Sequence, residues 1–373
     1  MAIDIVVIGA GTVGAAIAYG LVHRGLNVLM LDGSDREARA AVANFGLVWC
    51  QGKGTGFPPY QQLTRTSADL WPAFEAELAA RSGIGLEYAR PGGLTFCLGE
   101  DEFEARRVKL LRLHNELGGE PADWEMLERP ALERLLPGVT LGPEVTGASF
   151  GRRDGHVNPL RCLSALQTVF VRAGGELRHG CRVDRLAPLA GGGFALTVDG
   201  GEIRAPSVVI AAGLGSPALA AQVGIDLPLR PQRGQILVTE RVEPFLPLPT
   251  NGMRQTQDGT VMIGTTNEDV GADRSTTAQA AAAMSRRALG TIPALREATV
   301  VRQWAGLRIL SPDGYPVYAQ SEDHPGAFAV ACHSGITLAA AHATLVADGI
   351  AAGRFPDELA PFHQRRFHVP QAA

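Results

Sequence analysis

Residues 4–32 read DIVVIGAGTVGAAIAYGLVHRGLNVLMLD, and this stretch decides the fold of the chain. An apolar run that ends at Ile8 is followed by Gly9-x-Gly11-x-x-Gly14 and then by a helix pattern rich in small residues. A second apolar run ends on Asp32. This order predicts a strand, a glycine turn, a helix and a second strand with an acid, which is the dinucleotide-binding βαβ unit.

The physical chemistry of each part suits a dinucleotide. Gly9 allows the tight turn, Gly11 lets the backbone approach a pyrophosphate, and Gly14 lets helix and strand pack closely. The start of the helix offers unpaired N–H groups and a positive dipole end to the phosphates. Asp32 can accept hydrogen bonds from a ribose diol. The signature alone leaves NAD and FAD both open, and an ordinary βα turn without a ligand has the same local pattern.

A membrane segment is the other reading of this stretch. Residues 5–22 carry no charge, and eighteen such residues are a marginal span. The run contains four glycines and no basic flank precedes it, so it matches neither a spanning helix nor a signal peptide well. We therefore expect no transmembrane segment and a cytoplasmic protein.

Composition limits the other classes of function. The 373 residues are 46% hydrophobic and 19% charged, with 45 glycines, as in an α/β enzyme, and the length suffices for two domains or for one large fold with an inserted second layer. A formal charge of −4 gives no basic surface for nucleic acid. The cysteine number is odd and no pair has C-x-x-C spacing, which argues against disulfides, iron–sulfur clusters and structural zinc. The five are Cys50, Cys97, Cys162, Cys181 and Cys332.

The later chain alternates between two kinds of strand. The run 208–213 is typical of a buried parallel strand, whereas 229–240, 260–266 and 299–308 alternate like antiparallel strands. A final strand over 327–331 precedes an alanine-rich helix that extends to about 353. This order predicts one nucleotide domain assembled from separate segments, with a substrate domain inserted between them.

On these residues the chain resembles the glycine oxidase/D-amino acid oxidase-like FAD-dependent oxidoreductases over nearly its whole length. The resemblance rests on the N-terminal glycine signature and on motifs later in the chain. These are 208–213 with Gly215-Ser216, Arg233-Gly234-Gln235, Asp258-Gly259, 263–266, 304–308, Pro312-Asp313-Gly314 and 333–337. The loop 44–60 looks most like the catalytic subunits of heteromeric dehydrogenases of the D-hydroxyproline and opine type, and like the related hydrogen cyanide synthase.

The resemblance implies a fold and a cofactor. The fold is an α/β, FAD-binding Rossmann-like domain of the glutathione-reductase type with an inserted antiparallel-sheet substrate domain. The FAD-binding segments are 1–85, 145–220 and 300–373, and the substrate-binding segments are 86–144 and 221–299. The acid of the signature is usually Glu in this family and is Asp32 here. Some relatives carry a flavin-linking cysteine before Pro312, and residues 308–311 have none, so we expect non-covalent FAD.

The resemblance also implies the residues around the cofactor. Gly335-Ile336-Thr337 follow a buried strand and are expected to begin a helix that faces the N1–C2=O edge of the flavin, where oriented N–H groups stabilise the charge of reduced flavin. A helix cap at Ser334 is the structural alternative. The expected cofactor-binding residues are Gly9, Gly11, Thr12, Val13, Gly14, Asp32, Gly33, Phe45, Gly46, Leu47, Val183, Ala212, Gly213, Arg308, His333, Ser334, Gly335, Ile336 and Thr337.

Three residues are candidates for contact with the substrate. Arg308 follows an apolar run, and its guanidinium fork suits a carboxylate, as the resemblance implies; a structural salt bridge is the alternative. Arg254 could line the pocket or lie on a solvated strand face. His333 could approach the substrate or be a hydrogen-bonded core histidine. Arg233 is expected to be structural. No metal site is expected.

The resulting hypothesis is oxidation of an amino acid or secondary amine by hydride transfer from Cα to flavin N5, which gives an imine. The substrates that the resemblance favours are D-hydroxyproline-, opine- or glycine/sarcosine-like. A dehydrogenase that passes electrons to partner subunits, and through them associates with the inner membrane, is favoured over an oxidase that makes hydrogen peroxide. A non-catalytic flavoprotein subunit and an NAD-dependent dehydrogenase are the alternatives from other classes.

Overall fold

The computed structural model describes residues 2–33, 40–118 and 121–368. Its strands form a parallel core sheet and several antiparallel sheets. In chain order they are β1 (Ile5–Ile8), β2 (Val28–Asp32), β3 (Leu47–Val48), β4 (Gly93–Leu98), β5 (Trp124–Glu128), β6 (Val145–Gly151), β7 (Gly155–His156), β8 (Glu176–His179), β9 (Val183–Pro188), β10 (Phe194–Val198), β11 (Gly201–Ala205), β12 (Ser207–Ile210), β13 (Arg230–Arg241), β14 (Met253–Gln255), β15 (Thr260–Gly264), β16 (Val300–Leu310), β17 (Val317–Gln320) and β18 (Ala327–Ala331).

The helices lie mainly beside the core sheet. They are α1 (Thr12–Val22), α2 (Pro58–Ser82), α3 (Glu100–Glu116), α4 (Arg129–Leu135), α5 (Pro159–Arg172), α6 (Ser216–Ala220), α7 (Ala278–Thr291), α8 (Ala339–Ala341) and α9 (Ala347–Ala351). A π-helical turn, His342–Val346, joins α8 to α9. Short 3-10 turns cover Gly213–Gly215, Ala221–Val223, Pro293–Glu297, Asp357–Phe362 and Gln364–Phe367. Among these helices none is long and apolar enough to span a membrane.

The core sheet confirms the fold that the N-terminal stretch predicts. Its strands lie in the order β17-β18-β12-β1-β2-β8, and all neighbours are parallel except β17 and β18. Residues on β1 alternate between two apolar layers: Ile5 and Val7 pack toward α1, α5 and the C-terminal helices, while Val6 and Ile8 pack toward β9–β11 and α6. A sheet covered on both faces explains why its strands are continuously apolar.

A second lobe is built from antiparallel sheets. One has the order β14-β15-β13-β16 and another the order β4-β6-β5, and one apolar cluster joins them with α4 and α7. Strand β13 pairs with β16 along nearly its full length, from Arg230 opposite Leu310 to Thr239 opposite Val300. The antiparallel character expected for 229–240, 260–266 and 299–308 is therefore confirmed.

Two strands lie in other sheets than the proposed domain division implies. β6 and β16 fall in segments assigned to FAD binding, yet both pair in antiparallel sheets of the second lobe. The strands with which they pair are distant in sequence. Domain boundaries that are drawn from local sequence patterns therefore miss these pairings. The division into domains otherwise stays a prediction.

Candidate active site

A cavity of about 1110 Å³ opens at the carboxyl ends of β1, β2, β12 and β18. In open α/β sheets this edge, at the point where strand order reverses, is where ligands bind. Pockets for drug-sized ligands span roughly 300–1,000 Å³, so this cavity is large enough for a dinucleotide and a small substrate. It extends from Asp32, Gly33 and Val183 at one end to Arg308 and His333 at the other.

The turn after β1 requires glycine at two positions. Gly9 has φ of +105°, and a Cβ there would lie 2.4 Å from the carbonyl oxygen of Ala211. A Cβ on Gly14 would lie 1.9 Å from the carbonyl oxygen of Gly9. Helix α1 therefore approaches the strands more closely than any side chain permits, as predicted. Gly14 packs against the backbone of Gly9 and does not line the cavity, whereas Gly9 does.

The start of α1 fits a pyrophosphate. No side chain caps the helix at Gly11, so its first N–H groups face the cavity. The hydroxyl of Thr12 is buried and has no hydrogen-bond partner among the described residues. One carboxylate oxygen of Asp32 accepts the backbone N–H of Ala10 at 2.8 Å, which fixes the acid at the end of β2. These orphan donors and the fixed acid fit the phosphate and ribose parts of FAD.

The loop 44–47 forms another wall of the cavity, and Arg254 holds it from behind. Arg254 is 2% exposed and donates from Nε to the carbonyl oxygen of Phe45 at 3.1 Å. Its Nη1 lies 3.4 Å from Nδ1 of His156, and its Nη2 lies 3.1 Å from the sulfur of Met262. Arg254 is not among the residues that line the cavity, because β14 turns this side chain into the core, where it supports the loop. Its place among the catalytic residues stays a prediction.

The turn after β18 lies beside the start of α1. A Cβ on Gly335 would lie 3.3 Å from the Cγ2 of Val13. The carbonyl oxygen of Thr337 accepts hydrogen bonds from Ser67 at 2.7 Å and from the indole of Trp71 at 3.1 Å. Residues 335–338 form turns and the regular helix begins at Ala339, four residues later than predicted. These bonds to Thr337 hold the backbone in a conformation that local helix signals do not encode.

Arg308 lies at the far end of the cavity with its fork preorganised. Its Nη1 donates to the carbonyl oxygen of Thr266 and its Nη2 to the hydroxyl of Thr265, both at 2.8 Å. No carboxylate pairs with it among the described residues, so the structural salt bridge considered above is absent from this part of the chain. Burial lowers the pKa of Arg308, although Glu268 opposes this effect. The guanidinium remains charged and faces the cavity.

The neighbouring Arg233 is structural, as expected. It is 4% exposed and forms ion pairs with Glu268, at 2.7 Å, and with Asp273. These pairs fasten the loop after β15, which contributes Asn267 and Arg274 to the cavity wall. The two adjacent motif arginines thus have separate tasks: one holds a loop and the other faces the ligand.

His333 lies between two cations. Desolvation, together with the charges of Lys53 and Arg308, lowers its pKa to about 3. The imidazole is therefore neutral at physiological pH, and it can donate one hydrogen bond and accept another. Its side chain lines the cavity and is not a core histidine.

Lys53 is a site residue that the sequence reasoning missed. Its ammonium donates to the hydroxyls of Ser334 at 2.7 Å and Thr337 at 3.2 Å, and it lines the cavity. A signal was present: only two of the 34 basic residues are lysines, and this one lies in the loop 44–60, which resembles the catalytic subunits of heteromeric dehydrogenases. The hydrogen-bond partners lie 281 and 284 residues away, beyond any local pattern.

The structure brings nearly all the predicted cofactor residues to one cavity. Those that line it are Gly9, Gly11, Thr12, Val13, Asp32, Gly33, Phe45, Gly46, Leu47, Val183, Ala212, Gly213, Arg308, His333, Ser334, Gly335, Ile336 and Thr337. Additional polar groups at the wall that the sequence did not single out include Lys53, Gln232, Asn251, Asn267 and Arg274.

Comparison with known proteins agrees with this geometry. The family model described as DAO, FAD-dependent oxidoreductase, matches residues 4–349. The chain is 43% identical over 371 residues to a subunit of opine oxidase from Agrobacterium tumefaciens (strain Ach5), and the alignment covers 99% of each chain. It is 42% identical over 370 residues to the corresponding opine oxidase subunit from Rhizobium meliloti, again over 99% of each. The crystal structure of glycine oxidase from Geobacillus kaustophilus superposes with a TM-score of 0.89 at 26% identity, over 98% of this chain and 99% of that one.

Proposed function

The chain belongs to the DAO family of FAD-dependent oxidoreductases, and from that premise we propose that it oxidises an amine whose reacting carbon bears a carboxylate. Because the chain belongs to this family, its cofactor is FAD and not NAD. The alternative of an NAD-dependent dehydrogenase is therefore excluded. The reaction that we propose is hydride transfer from the substrate Cα, which leaves an imine that water can hydrolyse.

The observation that carries this proposal is the preorganised guanidinium of Arg308 in the cavity wall. Its hydrogen bonds to Thr265 and Thr266 fix its orientation, and donors remain for a ligand because guanidinium has five N–H groups. A planar fork of this kind matches a carboxylate. Arg308 lines the same cavity as the turn 334–337, so a carboxylate bound to Arg308 holds its α-carbon within the cofactor cavity.

The protein's contribution to the reaction is mainly positioning. FAD supplies the two-electron acceptor for the hydride. Arg308 anchors the carboxylate, and the neutral His333 beside it takes no proton from a substrate ammonium at physiological pH because its pKa is about 3. The substrate that reacts is therefore the neutral amine, whose lone pair assists the departure of the hydride. Orientation of this kind accounts for large rate effects without a strong base.

We further propose a secondary amine of the opine type, meaning an N-carboxyalkyl amino acid, as the substrate class. Two relatives of more than 40% identity are named opine oxidase subunits, and the alignments cover 99% of the chain. The exposed Arg274 lines the cavity on the loop that Arg233 fastens, so a second cation is available for a second carboxylate. D-Hydroxyproline-like and glycine- or sarcosine-like amines are the alternatives.

We propose that the electrons pass to a partner subunit, which makes the chain a dehydrogenase subunit of a hetero-oligomer. The names of the two relatives support this because each is called a subunit. An oxidase that produces hydrogen peroxide is the competing function, and the glycine oxidase that matches the fold supports it. We keep the cytoplasm as the proposed location, with electron-accepting partners at the inner membrane.

Anaerobic reduction of the purified holoprotein tests the proposal. A panel of opines, hydroxyproline isomers, N-methyl amino acids and D-amino acids is mixed with the protein while the flavin absorbance is followed. We expect opines to bleach the flavin at the lowest concentrations. A flavin that stays oxidised with every compound would indicate a non-catalytic flavoprotein subunit. Admission of air then separates the two acceptors: stoichiometric hydrogen peroxide at turnover rates would favour the oxidase.

A further inference from the structure

Lys53 is held by hydrogen bonds in the cavity wall, beside the turn 334–337. Its ammonium donates to Ser334 at 2.7 Å and Thr337 at 3.2 Å, and the phenol of Tyr60 lies 2.7 Å from the same Ser334 hydroxyl. The turn 334–337 is the segment next to the start of α1, so the ammonium lies where the cofactor cavity passes between these two elements. Lys53 is therefore a fixed charge beside the cofactor.

The loop that carries Lys53 is anchored to the core. One carboxylate oxygen of Asp154, which is fully buried, accepts the backbone N–H groups of Cys50 at 2.5 Å and Gln51 at 3.2 Å. The side-chain amide of Gln51 donates to the carbonyl oxygen of Gly93 at 2.9 Å. The backbone N–H of Lys53 closes a turn onto Cys50 at 3.1 Å. These bonds fix the position from which the lysine side chain extends.

The charge of Lys53 has no carboxylate partner. Its two hydrogen-bond acceptors are neutral hydroxyls, and within residues 2–33, 40–118 and 121–368 no ion pair involves its ammonium. Arg308, the other cation that acts on His333, is also without a carboxylate in that part of the chain. Both side chains are partly buried, and a hydrogen-bonded cation that is partly removed from water without a counter-charge is destabilising unless a ligand supplies the negative charge.

We propose that the Lys53 ammonium is the counter-charge of the reduced flavin and sets the reduction potential of the bound FAD. A hydride brings two electrons and one proton, so the neutral oxidised ring becomes an anion, while the substrate loses the hydride and becomes an iminium. Lys53 gives up no proton in this step; it stabilises the product by its charge. The inference rests on FAD binding at this cavity and is independent of the proposed substrate.

Lysine suits this role better than the arginine that the chain uses elsewhere. Thirty-two of the 34 basic residues are arginines, and the second lysine, Lys109, is on the exposed face of α3. An ammonium is a compact point charge, and its proton affinity responds to its surroundings, whereas guanidinium stays charged at all relevant pH values. At Lys53 the charge can therefore depend on the redox state of the neighbouring flavin.

The titration of this group gives a second, independent signature. Burial lowers the pKa of Lys53 to about 8, with Cys50, Cys332 and Asp154 acting in the opposite direction. Of the groups that face it, His333 with a pKa of about 3 and Cys332 with a pKa of about 12 titrate far from this pH, whereas Asp154, with a pKa of about 7, titrates close to it. Burial raises the pKa values of the Cys50 thiol and the Tyr60 phenol well above their usual ranges.

The reduction equilibrium of the flavin in the holoprotein tests the proposal. Midpoint potentials are measured with a reference dye for the wild type, Lys53→Gln, Lys53→Arg and the exposed control Lys109→Gln. We expect Lys53→Gln to lower the equilibrium constant for reduction at least tenfold, about 30 mV for a two-electron couple. Lys53→Arg should have a midpoint potential close to that of the wild type, and the midpoint potential of Lys109→Gln should equal it. Unchanged potential in FAD-loaded Lys53→Gln would overturn the inference.

Proton uptake on reduction provides a second readout, compared between the wild type and Lys53→Gln. Below about pH 8 the ammonium is already charged, so reduction takes up one proton per two electrons. Above that pH the neutral amine gains a proton when the flavin becomes an anion, so uptake rises toward two in the wild type and stays near one in Lys53→Gln. The same rise in both proteins would overturn the inference, as would a Lys53→Gln variant that changes only the pH profile of amine oxidation.

Discussion

Replacing Arg308 by Met removes the guanidinium that we propose for the substrate carboxylate. We expect the strand pairing of β16 with β13 to survive the change, because the backbone makes it, whereas the Arg308 side chain bonds to Thr265, to Thr266 and, at 3.4 Å, to the carbonyl oxygen of Arg233. The substrate carboxylate then enters a cavity wall that lacks its main fixed donor. We expect weaker substrate binding with retained FAD, since Asp32 and the start of α1 lie at the other end of the cavity.

The size of the effect follows from the geometry. Truncating one partner of a hydrogen-bonded charge pair costs about 2–5 kcal/mol. The Arg308 guanidinium is part of an open cavity wall and not of a closed core, so solvent reaches it and the lower part of that range, about 2–3 kcal/mol, is expected. At 1.4 kcal/mol per tenfold, this corresponds to a dissociation constant raised about 30- to 150-fold.

Stopped-flow anaerobic reduction measures this directly. The observed rate of flavin bleaching as a function of substrate concentration gives the dissociation constant and the limiting rate separately. Arg308→Lys keeps the charge without the fork and should fall between the wild type and Arg308→Met. An unchanged dissociation constant in Arg308→Met, with full FAD content, would refute the assignment of the carboxylate to this residue.

Three other substitutions test the framework of the site. Gly14→Ala places a Cβ 1.9 Å from the carbonyl oxygen of Gly9, so we expect loss of FAD and of the cooperative melting transition, and an FAD-loaded, stable variant would contradict this. The Asp154 carboxyl has its pKa raised to about 7 by burial, so its neutral form favours the folded state and its contribution to stability falls as pH rises from about 4 to about 7. Asp154→Asn should flatten the pH dependence of the free energy of unfolding in that window, measured by urea denaturation at several pH values; parallel wild-type and variant curves would argue against it. Arg254→Met removes the hydrogen bond to the carbonyl oxygen of Phe45. Because a hydrogen bond from a charged donor contributes about 1.5–3 kcal/mol, titration of the apoprotein with FAD should show an affinity at least about tenfold weaker. Equal affinity would show that the loop 44–47 does not depend on Arg254.

Local patterns in the sequence were sufficient for the nucleotide unit. The glycine spacing, the apolar periods of β1 and β2 and the position of Asp32 all depend on neighbouring residues, and the structure has each where the pattern predicts it. The position of Arg308 in the cavity wall was likewise accessible, because the motif 304–308 resembles the family motif whose arginine faces the substrate.

Contacts between distant segments could not be predicted in the same way. Lys53 reaches Ser334, and Arg254 turns into the core to hold Phe45, because sheets and loops far apart in sequence pack together. The last helix begins at Ala339, later than predicted, for the same reason. Ser67 and Trp71 of α2 donate hydrogen bonds to carbonyl groups of the preceding turn and hold it in place. Tertiary hydrogen bonds outweigh local helix signals at such positions.

A single-turnover experiment with an opine decides whether the hydride leaves a carboxylate-bearing carbon. The holoprotein is mixed anaerobically with one equivalent of an opine, and both the reduced flavin and the released 2-oxo acid are quantified, with the Cα-deuterated opine run in parallel. The proposed reaction predicts one 2-oxo acid per reduced flavin and a slower reduction with deuterium at Cα. A flavin that remains oxidised, or a reduction that releases no 2-oxo acid and shows no isotope effect, would contradict hydride transfer from a carboxylate-bearing carbon.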